Sequence, residues 1–218
     1  MAIIPWRFLD STGLSAQENM ELDKSLYENF QEEPIFRLYT WKPNSFTIGR
    51  FQKLEEIKNS ENFGDNWAKR VTGGGLLLHG FDLSYTIIIP TKLLNKKSVK
   101  ESYEYLCSFL LNFYQKLGLH VQYAKDLHVN LEKSFFCQEG FEAYDMICNG
   151  KKLGGNAQKR GKNLILQHGS IPLRNDQRKF TGTSLEEFDV NLNEKKAKKL
   201  LKESFIETFN AILNEEEI

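Results

Sequence analysis

Between residues 82 and 117 the apolar period changes from two to between three and four, and no single type of secondary structure satisfies both. In DLSYTIII, 82–89, Leu83, Tyr85, Ile87 and Ile89 fall on one face and Ser84, Thr86 and Ile88 on the other, until Pro90 ends the run. From Ser98 onward Val99, Tyr103, Leu106, Leu110, Tyr114 and Leu117 recur three or four apart, and Gly118 is placed to cap the helix they predict. A strand followed by a long helix requires a sheet with helices packed on it.

The remaining elements follow the same reading. Leu22, Leu26 and Phe30 predict a helix over 19–30, IFRLYTW predicts a strand over 35–41, and SFTIG, 45–49, looks like its partner strand. Alternation returns over 119–125, 142–148 and 163–167, so GKKLGGNAQKRG, 150–161, reads as a connection between two strands. Residues 193–214 predict a terminal amphipathic helix with a solvated, lysine-rich outer face. Without steady βαβ alternation the expected class is α+β, a mixed, mostly antiparallel sheet with helices on one side. No Pro/Gly/Ser linker divides the chain, so 1–218 is expected to be a single catalytic domain.

Charge and cysteine usage narrow the function. Twenty-nine basic residues balance 29 acidic ones, so no global positive field favours a nucleic-acid partner. The apolar run in MAIIPWRFLD is too short for a signal core, and no run of ~18 apolar residues follows, which predicts a cytoplasmic protein that neither enters nor crosses a membrane. Cys107, Cys137 and Cys148 are odd in number and lack CxxC spacing, and His79, His120, His128 and His168 show no ligand pairing, so no bound metal is expected.

Two glycine-rich segments could carry chemistry. RVTGGGLLLHG, 70–80, places three glycines before an apolar run, with Arg70 able to hold an anion beside them; a tight turn without a ligand explains the glycines equally well. GKKLGGNAQKRG joins glycines to Lys151, Lys152, Lys159 and Arg160, which suits an anionic or carbonyl oxygen, although any single lysine is more often simply solvated. An inert core thiol is the default for each cysteine. Cys137, in SFFCQEG at the border of an apolar patch and a loop, becomes a nucleophile only if the fold brings a cation near it. A structural role is the default for His79 and His168 as well, with acid–base or substrate-orienting work as the alternative.

Four ordered blocks, NMELDKSL at 19–26, FRLYTWKPNSFTIGRFQ at 36–52, KRVTGGGLLLHGFDLSY at 69–85 and GKKLGGNAQKRGKNLILQHGSI at 150–171, resemble those of the lipoate-protein ligase and octanoyltransferase family, which shares its catalytic fold with biotin-protein ligases. The resemblance spans about residues 6–175. It implies that Arg70, Thr72, Gly73, Gly74 and Gly75 form a loop over the acyl chain with His79 in support. Lys152 would be the active-site lysine that binds the acyl carbonyl or phosphate oxygen, and Gly155, Ala157, Gln158, His168 and Gly169 would line the rest of the pocket.

Cys137 lies fifteen residues before Lys152, which is similar to the spacing in the cysteine-dependent octanoyltransferases. The 45 residues after Leu173 suffice for the terminal helix but not for the accessory domain of many ligases. The resemblance thus implies transfer of octanoate from octanoyl-acyl carrier protein, through a Cys137 thioester, to a lysine of a lipoyl domain of a 2-oxoacid dehydrogenase E2 subunit or glycine cleavage H protein. No cofactor is expected for that reaction; ATP and Mg would be needed by the alternative, a lipoate or octanoate ligase. A non-enzymatic alternative is a module that binds acyl carrier protein or lipoyl domains.

Overall fold

The computed structural model describes residues 3–55, 63–131, 136–137, 140–175 and 182–217. In chain order the elements are β1 (Ile4–Leu14), α1 (Ala16–Glu28), β2 (Ile35–Trp41), β3 (Ser45–Ile48), β4 (Trp67–Lys69), β5 (Leu77–His79), β6 (Asp82–Pro90), α2 (Val99–Lys116), β7 (Val121–Tyr123), β8 (Met146–Cys148), β9 (Lys151–Arg160), β10 (Leu164–Pro172), α3 (Glu194–Phe209) and β11 (Ala211–Glu216).

Eight strands form one sheet in the order β11-β1-β2-β6-β10-β9-β8-β7, and β4-β3-β5 form a smaller one. The large sheet is mixed and mostly antiparallel, as expected: only β1 runs parallel to its neighbours, β11 and β2. The two faces read from residues 82–89 are both real. Leu83, Tyr85, Ile87 and Ile89 join Phe36 and Leu38 against α2 and α3, where Phe205 stacks on Phe36 at 3.8 Å and meets Phe109 edge-on. Fully burying each such side chain stabilises the fold by roughly 1.5–3 kcal/mol.

Ile88 lies on the opposite face with Leu9, Ile35 and Leu166, beneath Leu26, Tyr27 and Phe30 of the first helical region. Helices therefore cover both faces, correcting the one-sided expectation. Every residue of β2 and β6 is buried, and such strands cannot leave a face in water. The helix starts are locally encoded: Ser15 and Glu18 form a capping box for α1, and Ser98 and Glu101 do the same for α2.

Other expectations require correction. Residues 45–49 do not pair with β2, whose edges are taken by β1 and β6; positive φ at Asn44 and a hydrogen bond from Ser45 Oγ to the Lys42 carbonyl turn them into the small sheet. The segment 150–161 is no connection, because Lys151–Arg160 is a strand between β8 and β10. The terminal helix stops at Phe209: Asn210 takes a left-handed conformation (φ 50°) and the chain returns as β11 beside β1, which begins the fold as a strand rather than as an apolar start. Within the expected spans 119–125 and 142–148 only 121–123 and 146–148 are strand, whereas 163–167 continues to Pro172.

Candidate active site

The α1-side face of the large sheet, the small sheet and the glycine loop enclose a cavity of about 270 Å³. Its floor follows from strand register. Tyr39 pairs with Ser84, Ser84 with Ser170, and Ser170 with Gly155, so the four form one row across β2, β6, β10 and β9. All four line the cavity. With strands ~4.8 Å apart, three spacings give the row a length of ~14 Å. Its middle is made of small side chains. Both serine hydroxyls donate to Asp82 Oδ2, Ser84 from 3.0 Å and Ser170 from 2.7 Å, so an alkyl chain laid over them leaves no hydroxyl without a partner. Met20, Tyr39 and Trp41, which pack together, stand at the far end.

One wall is the loop 73–75. Buried Arg70 donates from Nη2 to the Gly75 and Gly73 carbonyls, 2.6 and 3.3 Å away, and from Nη1 to Thr47 Oγ1 at 2.7 Å. Gly74 has φ +98°, and a Cβ on Gly49 would collide with the Gly74 carbonyl oxygen, so this tight stacking of loop on loop needs glycine on both sides. Thr47 Oγ1, accepting from Arg70, can donate to His79 Nε2 at 2.8 Å. His79 then carries its proton on Nδ1 and donates it to Asp82 Oδ2, 2.9 Å away. Burial pushes Asp82 up, but His79, Ser170 and the Gly80 amide outweigh it and hold the carboxyl below its usual range.

The loop is tied to β10 by a parallel arrangement. Thr72 Oγ1 meets His168 Nε2 at 2.6 Å, and His168 Nδ1 lies 3.5 Å from Asp23 Oδ2. Asp23 also accepts from Arg37 Nη1 at 2.6 Å and Thr86 Oγ1 at 2.7 Å. Burial again acts upward on Asp23, and Arg37, His168 and Thr86 hold it below its ordinary value. Each cavity histidine thus sits between a buried carboxylate and a threonine hydroxyl, fixed in orientation.

The reactive groups converge at the end of the row opposite Tyr39. The Cys137 amide donates to the Leu76 carbonyl at 2.8 Å, and Phe136, packed with Phe46, Phe63 and Leu78, anchors the cysteine against the glycine loop. Lys152 comes from β9, only 6 % exposed, and its Nζ donates to the carbonyls of Cys137 (2.6 Å) and Gly140 (2.9 Å) and to Asp145 Oδ2 (2.6 Å). Gly155 makes room for them: a Cβ there would lie 3.3 Å from Asp145 Oδ1, 3.4 Å from Lys152 Cε and 3.6 Å from Cys137 Sγ. Burial pushes the Arg70 guanidinium below its ordinary value. Cys107 and Cys148 are buried in the core, and burial pushes both thiols up.

Of the residues singled out in the sequence, Arg70, Gly73, Gly74, Gly75, His79, Cys137, Lys152, Gly155, Ala157, His168 and Gly169 line the cavity. Thr72 acts from behind, through His168. Gln158 turns away: its side chain donates to Gln167 Oε1 at 2.6 Å on the α2-facing side. Residues 138 and 139, which follow Cys137, lie outside the described residues. The sequence reading missed Asp145, Thr47, Asp23, Asp82 and the two floor serines. Only Asp82, three residues after His79, sat at a spacing that could have signalled its partner. Among the described residues no group of His, Cys, Asp and Glu could hold a metal ion, and no helix is long and apolar enough to cross a membrane.

Residues 15–215 match the sequence model of the Lipoyl protein ligase A/B catalytic domain. A curated octanoyltransferase LipM of Oceanobacillus iheyensis is 30% identical over 96% of this chain and 85% of its own length. One from Bacillus cereus is 35% identical over 78% of this chain and 66% of its own. In fold the chain is similar to lipoate-protein ligase A bound with ATP (TM-score 0.75, 21% identity, covering all of this chain and 90% of that one). It is also similar to a bipartite lipoate protein ligase from Thermoplasma acidophilum (TM-score 0.73, 20% identity, 99% and 88%). With a family match across most of its length and relatives above 30% identity, the chain belongs to the lipoyl protein ligase A/B catalytic-domain family.

Proposed function

We propose that this chain is an octanoyltransferase of protein lipoylation that carries the acyl group as a thioester on Cys137. The observation that carries the reading is the convergence of Cys137 Sγ and Lys152 on Gly155, at one end of a row ~14 Å long. The seven carbon–carbon bonds of an extended octanoyl group fit within the ~14 Å of the row, so the chain lies along Ser170 and Ser84 with its methyl end directed towards Tyr39 and Met20.

In the first half, Cys137 thiolate attacks the carbonyl of octanoyl-acyl carrier protein and the carrier thiol leaves. In the second, a lipoyl-domain lysine, of an E2 subunit or glycine cleavage H protein, attacks the acyl-cysteine. The charge that develops on the carbonyl oxygen takes the place of one of the two backbone carbonyls at Lys152 Nζ, which keeps three acceptors and gains one that is charged. Arg70 holds the loop carbonyls over the chain. A thioester donor is already activated, so the transfer needs neither ATP nor Mg.

Intact-mass measurement after incubation with octanoyl-acyl carrier protein tests the reading. One octanoyl mass is expected on the wild type and none on Cys137→Ala; a gain that survives the substitution refutes it. Modification of a lipoyl domain by Cys137→Ala with ATP and octanoate would establish a ligase instead. Binding of either partner without turnover, in wild type and Lys152→Ala alike, would establish a binding module.

A further inference from the structure

We propose that Asp145, and not Lys152, accepts and returns the proton in both halves of the transfer, an inference that rests on the Cys137 thioester reading. Lys152 Nζ is surrounded by the Cys137 carbonyl, the Gly140 carbonyl and Asp145 Oδ2, one acceptor for each N–H of an ammonium group. A lysine held in this way offers charge but has no lone pair to receive a proton. The nearest group that has one is the carboxylate beside it.

Asp145 is 3 % exposed and divides its oxygens between two tasks. Oδ2 accepts from Lys152 and, at 2.6 Å, from the Glu142 amide. A Cβ built on Gly155 would lie 3.3 Å from Oδ1 and 3.6 Å from Cys137 Sγ, so both atoms border the same space beside Gly155. A thiol proton or an amine proton in that space is within reach directly or through one water. The groups facing Asp145 are Lys152 from β9, Glu142 and Cys137 from the chain before β8, and Tyr103 and Cys107 from α2, whose own values burial raises so that both stay neutral. Burial lifts the carboxyl and Lys152 restrains it, leaving Asp145 at about 6, ionised at neutral pH yet basic enough to work.

The proton balance closes without another reactant. Cys137 S–H gives its proton to Asp145, the thiolate forms the new C–S bond as the carrier's C–S bond breaks, and the carrier thiolate takes the proton from Asp145. The acceptor amine then forms the C–N bond and loses one N–H proton to Asp145. The acyl-cysteine C–S bond breaks, and Cys137 recovers the proton.

The test is single-turnover acylation by octanoyl-acyl carrier protein, followed by intact mass between about pH 5 and 8, where a carboxyl base near 6 changes state. The wild-type rate should rise through a limb near pH 6. Asp145→Asn, which keeps the shape and an acceptor for Lys152, should acylate about 100-fold more slowly or worse and lose that limb, with half-saturation by the donor little changed. Asp145→Glu should recover part of the rate. A limb that survives Asp145→Asn belongs to another group and overturns the proposal, as does a wild-type rate. A loss confined to donor half-saturation overturns it too, by making Asp145 a positioning residue. Should the Asn variant not fold, the wild type decides alone: a profile flat across this range refutes Asp145 as the base. Absence of any octanoyl mass on the wild type refutes the thioester reading itself.

Discussion

Thr72 Oγ1 and His168 Nε2 meet at 2.6 Å although 96 residues separate them, and this contact fastens the first glycine segment to the strand that follows the second. It is a hinge pin for the cavity, because the Thr72 carbonyl also accepts from the Arg50 amide at 2.8 Å. Thr72→Val keeps the side-chain shape and removes the hydroxyl. It leaves His168 Nε2 buried without its partner and lets the loop 73–75 shift over the acyl chain. A misplacement of ~1 Å near the chemistry can cost ~100-fold, so acylation of Cys137 by octanoyl-acyl carrier protein should fall by 10- to 100-fold. Rapid-quench mass spectrometry reads that rate, and circular dichroism should show the fold retained.

Gly155→Ala probes the reactive corner directly. The new methyl would stand 3.3 Å from Asp145 Oδ1, 3.4 Å from Lys152 Cε and 3.6 Å from Cys137 Sγ, tight against groups that are themselves held by hydrogen bonds. It occupies the space that the tetrahedral carbonyl carbon needs. Acyl-enzyme formation should drop at least ~100-fold, because a reacting atom must come within ~3–3.5 Å of the sulfur. The melting temperature should move by only a few degrees.

The legible part of this architecture was the part encoded by near neighbours in sequence. Alternation at 82–89 assigned Leu83 and Ile88 to their opposite faces, and the capping pairs of α1 and α2 are three residues apart. The strand β9 escaped because its composition, with Gly154, Gly155 and three lysines, opposes strand propensity; the ladders of β8 and β10 on either side override that preference. β11 escaped for a different reason. Its place is fixed by parallel pairing with β1, as in the Arg7–Glu216 ion pair across 209 residues, and periodicity within a segment carries no information about such a partner. At the site, the resemblance pointed to eleven residues that line the cavity, Cys137 and Lys152 among them, but also to Gln158, which turns away, and it left out the floor serines. Asp145, Thr47 and Asp23 act on those residues through contacts that exist only once the sheets are assembled.

Met20, packed with Tyr39 and Trp41, closes the end of the row opposite Cys137, towards which the proposed octanoyl chain points. Met20→Ala lengthens the groove and should shift selectivity towards longer chains. Each buried methylene contributes ~0.8 kcal/mol, so two more should be favoured by about tenfold relative to the wild type's preference. Competition between octanoyl- and decanoyl-acyl carrier protein, read as the ratio of acyl masses on Cys137, measures the shift. An unchanged ratio would place the end of the chain elsewhere.

Asp23 links the cavity to the stability of the whole sheet. It pairs at 2.6 Å with Arg37, which is fully buried and also donates to Ser11 and Asn19, while its second oxygen serves Thr86 and His168. Removing one partner of a buried pair leaves the other charge uncompensated, at a cost of ~3–5 kcal/mol, so Asp23→Asn should be less stable than the wild type by that amount at pH ~7. The folded carboxyl is held below its ordinary value. Its contribution is therefore fully present above the unfolded value of ~3.9 and is lost as pH falls through the lower folded value. Urea unfolding should show the gap between wild type and Asp23→Asn constant from pH ~7 down to ~5 and narrowing below ~4. A gap that stayed constant into the acid range would mean that the Asp23 charge does not hold Arg37 and His168 in place.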